Sequence, residues 1–163
     1  MGAKVTHVDA SKKSVAWARE NQGLSHLENA SIRWIVDDAV KFIDREVRRG
    51  NRYQGIILDP PKFGRGPKGE IWEFFDMLPE LLPDLRMLLA DQPLFLVITA
   101  YAIRSSALTL YYALDEMLAG MNGTITVGEL CTREKSAGRL ISQAIFGRWC
   151  AAEAGELAGR RQV

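Results

Sequence analysis

The segment Asp59-Pro60-Pro61-Lys62-Phe63 holds the side chains best suited to chemistry in this chain. It places a carboxylate, a cation and an aromatic ring on a stretch that two prolines make stiff, because each proline fixes φ and lacks an N–H. The apolar run at 56–58 just before it is typical of a strand that is covered on both faces. Since ligands bind at the carboxyl edge of open parallel sheets, the segment is predicted to be a rigid catalytic loop.

Strands and helices alternate along the chain, which predicts an α/β fold with a mostly parallel, doubly wound sheet. Polar residues that can cap helices follow the first two strands: Ser11 or Ser14, and Asp37 or Asp38. Strands are predicted at 5–8, 32–36, 55–58 and 94–98, and helices from Ser11 or Ser14 to Gly23, from Asp37 or Asp38 to Gly50, and over 70–89 and 105–118. The segments 124–131 and 140–149 are predicted to form an antiparallel hairpin at a sheet edge.

The bulk composition fits one compact domain and excludes few classes of function. The chain has 163 residues, 47% of them apolar, and a formal net charge of +1, so any nucleic-acid surface must be local. Two cysteines without metal-like spacing suit a reducing cytoplasm and suggest no metal site. No apolar stretch is long enough for a membrane span. We predict a cytoplasmic domain at 1–150 and a flexible tail at 151–163.

Three motifs, taken together, resemble a known family. The segments Val-Thr-His-Val-Asp-Ala-Ser at 5–11, Asp-Asp-Ala at 37–39 and Asp-Pro-Pro-Lys-Phe at 59–63 are similar in order and spacing to motifs of class I S-adenosylmethionine-dependent methyltransferases. The resemblance is strongest to bacterial enzymes that methylate large-subunit ribosomal RNA, and it covers about residues 2–149. It implies a Rossmann-like sheet, S-adenosylmethionine as cofactor and ribosomal RNA as partner, with no membrane contact.

The resemblance assigns cofactor-binding roles to residues at the ends of the first strands. Asp9, with Ala10 and Ser11 beside it, would accept hydrogen bonds from the cofactor's ribose hydroxyls, as carboxylates do in dinucleotide-binding folds. Asp38 would accept from the adenine amine, with the Ala39 backbone alongside, and Asp59 would border the same site. Helix capping is the alternative explanation for Asp9, and it accounts for one of the two aspartates at 37 and 38 without a ligand.

The resemblance also assigns the acceptor side of the reaction. In amine methylators of this kind, a carboxylate and the next backbone carbonyl hold the amine. Here these groups would be Asp59 and the Pro60 carbonyl, at the stiff Pro60-Pro61 turn. An aromatic ring, here Phe63, would stack on the base. Lys62 stands where such enzymes carry an aromatic residue, which weakens an adenine target.

Related cytosine C5 methylators use a cysteine just after the fifth strand, where this chain reads Thr-Ala-Tyr. Cys131 and Cys150 fall in the last two predicted strands and are interpreted as core residues. We therefore expect methylation of a ring nitrogen or an amine, and a non-RNA substrate stays open.

Two basic clusters bear on RNA binding. Lys62, Arg65 and Lys68 alternate with glycines in a loop predicted to be flexible, beside the predicted active site, where they can contact phosphates. A second cluster at 45–52 is better explained as a solvated helix end that complements the helix dipole.

The glycine-rich first motif of such enzymes, and the central strand before it, are missing ahead of residue 5. We hypothesise that the chain is an N-terminally truncated methyltransferase domain, whose strands at 5–8 and 55–58 each expose an unpaired edge. A homo-oligomer is one way to cover that edge. Two alternatives stay open: a non-catalytic interaction module and, with less support, a nicotinamide-dependent oxidoreductase.

Overall fold

A computed structural model describes residues 2–152. The elements in chain order are β1 (Val5–Asp9), α1 (Lys12–Leu24), β2 (Ile32–Val36), α2 (Ala39–Arg48), β3 (Gly55–Leu58), β4 (Phe63–Arg65), β5 (Ile71–Glu73), α3 (Phe74–Leu88), β6 (Phe95–Ala100), α4 (Ala107–Met117), β7 (Gly123–Arg133) and β8 (Leu140–Ala151). The predicted tail begins inside β8, and its remainder at 153–163 lies outside the described residues. None of the described helices is long and apolar enough to cross a membrane.

The strands form the predicted α/β arrangement. β1 pairs with β2 in parallel, and β3 pairs with β6 in parallel. β8 then pairs antiparallel with both β6 and β7, which gives the sheet order β3-β6-β8-β7. The predicted combination of parallel strands with a closing antiparallel hairpin is confirmed.

The edges of β1 and β3 that face away from β2 and β6 have no partner strand within residues 2–152. Both strands nevertheless line one groove, so their free edges border a common space. A further strand of the described chain between them would have contradicted the truncation hypothesis, and no such strand is present. The hypothesis, and the oligomer that would cover the edge, stay predictions.

The core lies between the four-stranded sheet and a helical layer in which α2 contacts α3 and α3 contacts α4. Alternate residues of β6 are buried, because neighbouring side chains of a strand point to opposite faces. Gly147 of β8 lets α4 approach closely: a Cβ there would lie 3.0 Å from atoms of Leu110 and Leu114. The largest fully buried side chains among residues 2–152 are Leu85, Leu96, Ile98, Leu110, Leu114 and Glu46.

The prediction of a helix at 70–89 was wrong at its start. Residues Ile71–Glu73 form β5, which pairs antiparallel with β4, and the helix begins only at Phe74. The glycine-containing loop before it is therefore a hairpin instead of a flexible loop. Local helical spacing was overridden here by strand pairing and by a hydrogen bond from Trp72 Nε1 to the Pro61 carbonyl, 2.7 Å long. Pro79 and Pro83 both lie inside α3 without dividing it.

A buried carboxylate joins α2 to the segment before β3. Glu46 is fully buried and accepts hydrogen bonds from Tyr53 Oη (2.7 Å), Asn51 Nδ2 (2.7 Å) and Arg49 Nη1 (3.1 Å). Burial raises the pKa of Glu46, but these hydrogen bonds together outweigh it, so the net pKa lies below the ordinary value of 4.5. The group is thus ionised at neutral pH, and both of its oxygens accept hydrogen bonds, as is usual for buried polar groups.

We expect Tyr53→Phe to lower the free energy of unfolding by about 1 to 3 kcal/mol at pH 7, because it removes one donor from a buried charged acceptor. Urea denaturation monitored by circular dichroism measures the change. Tyr112→Phe is the matched control, since Tyr112 is 65% exposed. The Glu46 contribution should be fully present above pH 4.5, the ordinary pKa, and be lost as the pH falls below it. Equal stability of both variants would contradict the role of Glu46.

Candidate active site

One groove of about 760 Å³ runs between β1 and β3 along both strands, and its lining includes the residues at their carboxyl ends. The central strand that the truncation hypothesis places between β1 and β3 would fill part of this volume, so the candidate ligand site is the part at the carboxyl ends of the strands. The floor of the groove is apolar, with contributions from α2, α3 and both strands. Of the predicted site residues it is lined by Asp9, Ala10, Ser11, Asp38, Ala39, Asp59, Pro60 and Pro61. The structure thus brings together residues from three separate motifs.

The loop after β3 is held in place from two sides. The Thr99 hydroxyl donates a hydrogen bond to Asp59 Oδ1, because β3 and β6 run parallel with Leu58 opposite Ile98. On the other side, Trp72 Nε1 binds the Pro61 carbonyl. These contacts leave the Asp59 carboxylate exposed on a fixed backbone, as the proline pair predicted.

Asp9 is partly committed to local structure. Its Oδ1 accepts a hydrogen bond of 2.6 Å from the backbone N–H of Ser11, and Ser11 in turn caps α1 by accepting from Ser14 N. Asp9 therefore shapes the turn into the helix but is not the helix cap. Since Asp9 also lines the groove, its carboxylate has capacity left to accept further hydrogen bonds there.

The two aspartates at the start of α2 have different roles. Asp37 binds Arg45 Nη2 at 2.6 Å, and this hydrogen bond, which outweighs the effect of burial, lowers the pKa of Asp37. Asp38 is the N-cap of α2 through a bond from Lys41 N to its Oδ1, 3.0 Å long. Capping thus explains Asp38, and only Asp38 of the pair also lines the groove.

The β4–β5 hairpin is fastened over the Asp38 end of the groove. Lys41 Nζ lies 2.5 Å from Glu70 Oε1, and Glu70 Oε2 also accepts from the Lys68 backbone N–H. Gly66 lies between Glu70 and Asp38: a Cβ at this position would lie 2.4 Å from Glu70 Oε2 and 3.0 Å from Asp38 Oδ2. The close approach requires glycine at this position and brings the hairpin against the cap of α2.

Two of the predicted residues lie away from the groove, and Tyr101, which was not among the predicted site residues, lies in it. Lys62 and Phe63 are exposed and do not line the groove, whereas Tyr101 lines it together with Asp59. Tyr101 precedes Ala102, which has a positive φ of 56°, a strained backbone for a residue with a side chain. Its position two residues beyond Thr99 was the available signal, because the ends of adjacent parallel strands meet at one edge.

The cysteines lie apart from Asp59. Cys150 pairs with Phe95 at the other end of β6, and Cys131 lies in the distal part of the β7–β8 hairpin. Cys131 is exposed, so its interpretation as a core residue was wrong.

Comparison with known structures identifies the class of the fold. A crystal structure of an S-adenosylmethionine-dependent methyltransferase from Agrobacterium tumefaciens is 51% identical, with a TM-score of 0.87 over 91% of this chain and 49% of that one. A second methyltransferase structure, complexed with S-adenosylhomocysteine, shares the fold at 18% identity and a TM-score of 0.67, covering 88% of this chain and 38% of that one. The chain therefore has the class I methyltransferase fold, and the resemblance to this class that its motifs indicated is confirmed.

Sequence comparison narrows the similarity. A protein of Methanocaldococcus jannaschii named as a ribosomal RNA large subunit methyltransferase is 34% identical over 67 residues, which are 41% of this chain and 17% of that protein. Ribosomal RNA large subunit methyltransferase I of Aeromonas hydrophila is 35% identical over 63 residues, 38% of this chain and 16% of that protein. The chain thus matches only a minor part of these relatives and about half of the Agrobacterium structure. No family model matches the chain.

We expect Lys41→Met to raise the pKa of Glu70, because the hydrogen bond from Lys41 is the largest cause that lowers it to about 2 from an ordinary value of 4.5. In the unaltered protein the ion pair between Lys41 and Glu70 is fully formed above pH 4.5 and is lost as the pH falls toward 2. Carbon NMR titration of the Glu70 carboxyl measures the shift. Lys4→Met is the control, and an unchanged Glu70 titration in Lys41→Met would contradict the fastening role.

Proposed function

We propose that this chain is part of an S-adenosylmethionine-dependent methyltransferase that acts on ribosomal RNA, at a ring nitrogen or an amine of a base. The observation that carries the proposal is the meeting of Asp9, Asp38 and Asp59 at one groove in a class I methyltransferase fold. The names of the relatives support RNA as the substrate. A reaction on ribosomal RNA also implies a cytoplasmic setting.

The groove residues fit the polar groups of S-adenosylmethionine. Asp9 has acceptor capacity for ribose hydroxyls, and Asp38 has it for the adenine amine while its Oδ1 caps α2. When bound, the cofactor supplies a methyl group that is activated by its sulfonium leaving group.

The contribution of the protein is then mainly positioning. Asp59 borders the groove and is oriented by Thr99, and the Pro60 carbonyl follows on the same stiff turn. Together they offer two acceptors for the N–H groups of an exocyclic amine, so they can hold its nitrogen toward the groove and stabilise the proton that it must lose. The Thr99 hydroxyl fixes one carboxylate oxygen, which leaves the other for the acceptor.

The absence of a cysteine beside Asp59 favours a ring nitrogen or an amine over cytosine C5. Covalent attack on the base needs a thiolate at the site, and neither Cys131 nor Cys150 is near the end of β3.

We expect Asp9→Asn to weaken binding of S-adenosylmethionine and S-adenosylhomocysteine by about 10-fold or more. A hydrogen bond to a charged group contributes about 1.5 to 3 kcal/mol, and about 1.4 kcal/mol is a factor of ten in Kd. Isothermal titration calorimetry of the purified chain measures the change. Asp44→Asn is the matched control, because Asp44 is an exposed carboxylate on α2 outside the groove. A folded chain that binds neither compound would contradict the proposal for this chain.

Two aromatic residues compete for the role of stacking platform, and matched variants separate them. We expect Tyr101→Leu to raise KM for RNA several-fold, since base stacking on an aromatic ring contributes about 1 to 3 kcal/mol. Phe63→Leu should change KM less, because Phe63 lies outside the groove. Transfer of tritiated methyl groups to unmodified large-subunit ribosomal RNA measures both. The opposite order of effects would restore Phe63 to the role predicted from the sequence.

A further inference from the structure

We propose that the distal end of the β7–β8 hairpin, residues 131–141, binds phosphates of the RNA substrate. The inference rests on the proposed function and adds a contact surface on a part of the chain that lies outside the groove. Its basis is the position of the hairpin, the rigidity of its turn and the charge at its end.

Strand register places this end above the active-site edge. Ala100, the last residue of β6, pairs with Ile145, yet β7 and β8 continue to pair as far as Arg133 and Leu140. Because β8 runs antiparallel to β6, its residues 140–144 project beyond the edge where Asp59 lies. At about 3.3 Å per residue, the paired part extends at most roughly 16 Å past that edge, since the register shift between Leu130 and Cys131 bends the strand pair within this stretch.

The lateral distance is also short. In the sheet order, β6 alone separates β3 from β8. With strands about 4.8 Å apart, the base of the projection lies roughly 10 Å from the end of β3. A polynucleotide with a base at Asp59 can therefore pass along the hairpin within a few nucleotides.

The turn that ends the hairpin is ordered by its own hydrogen bonds. Glu134 N donates to Arg139 O at 2.8 Å, and Gly138 N donates to Glu134 O at 3.1 Å. Gly138 has a positive φ of 68°, which the turn requires, and Arg133 Nη1 binds its carbonyl at 2.8 Å. The backbone that carries these cations therefore loses little additional freedom when they bind a ligand.

The charge at this end is mainly positive and is not neutralised by ion pairs. Arg133, Lys135 and Arg139 are exposed, and none takes part in the ion pairs found within residues 2–152. The one carboxylate of the turn, Glu134, is half-buried and accepts a hydrogen bond from Ser136. The β4–β5 hairpin, which also rises from the loop after β3, carries Lys62, Arg65 and Lys68. Two basic hairpins thus extend from the same edge of the fold.

A double variant tests the proposal with a charge-matched control. Lys135→Gln with Arg139→Gln removes two cations from the hairpin end, whereas Arg48→Gln with Arg52→Gln removes two from the opposite edge, between α2 and β3. The probe is a fluorescein-labelled single-stranded RNA of mixed sequence. Its Kd is measured by fluorescence anisotropy between 50 and 300 mM NaCl, values chosen around the range where phosphate contacts dominate. The double exchange Lys135→Arg with Arg139→Lys keeps the charge, and circular dichroism confirms that every variant is folded.

We expect the hairpin variant to bind RNA more weakly and to lower the slope of log K against log salt by about 1.4, since each lost phosphate contact on a single strand contributes about 0.7. The control and the charge-preserving exchange should retain the original slope. Equal losses in hairpin and control variants, no loss in either, or no RNA binding by the unaltered chain would each overturn the proposal. Unchanged RNA affinity would instead favour a protein partner on the exposed aliphatic residues Leu130, Leu140 and Ile141.

Calorimetry with S-adenosylhomocysteine on the same samples separates this proposal from the proposed function. If the unaltered chain binds RNA but does not bind S-adenosylhomocysteine, the result would count against the methyltransferase proposal alone. Intact cofactor binding with a salt slope that does not depend on the hairpin would count against the hairpin alone.

Discussion

The active-site edge depends on the parallel pairing of β3 with β6. That register sets Leu58 opposite Ile98, so the next residues, Asp59 and Thr99, meet at the sheet edge and form a hydrogen bond. A shift by one residue would turn the buried face of β6 outward and separate the two groups, because side chains alternate between faces. Burial of Leu96 and Ile98 therefore fixes the orientation of a carboxylate that is itself exposed. The chemistry at the surface is determined by apolar packing beneath it.

The same edge shows how structural and ligand-binding demands share a small number of carboxylates. Asp37 is neutralised by Arg45, which leaves Asp38 to cap α2 and face the groove. Asp9 uses one oxygen for the turn into α1. Each group that borders the groove is thus held by one local bond and keeps acceptor capacity, which is the arrangement that a preorganised binding site needs. Rigidity and availability are supplied by different oxygens of one side chain.

Much of this arrangement was predictable because local signals agreed with tertiary structure. The apolar run before Asp59, the caps at Ser11 and Asp38 and the closing hairpin all follow from rules that act over a few residues. The start of α3 was not predictable in this way, since Ile71 and Trp72 have helical spacing but are held as a strand by partners earlier in the chain. Tyr101 was missed for a similar reason: its place in the groove depends on pairing between strands that are distant in sequence.

Helix α3 contains two residues that oppose helix formation, and this affects the order in which the molecule can assemble. Pro79 and Pro83 remove two amide donors from its interior, so the helix gains its stability from the burial of Leu78, Leu81 and Leu85. It can form only together with the core. Its first turn continues directly from β5, whose Trp72 holds the loop after β3. The loop after β3 should therefore become ordered late in folding, after the core has formed.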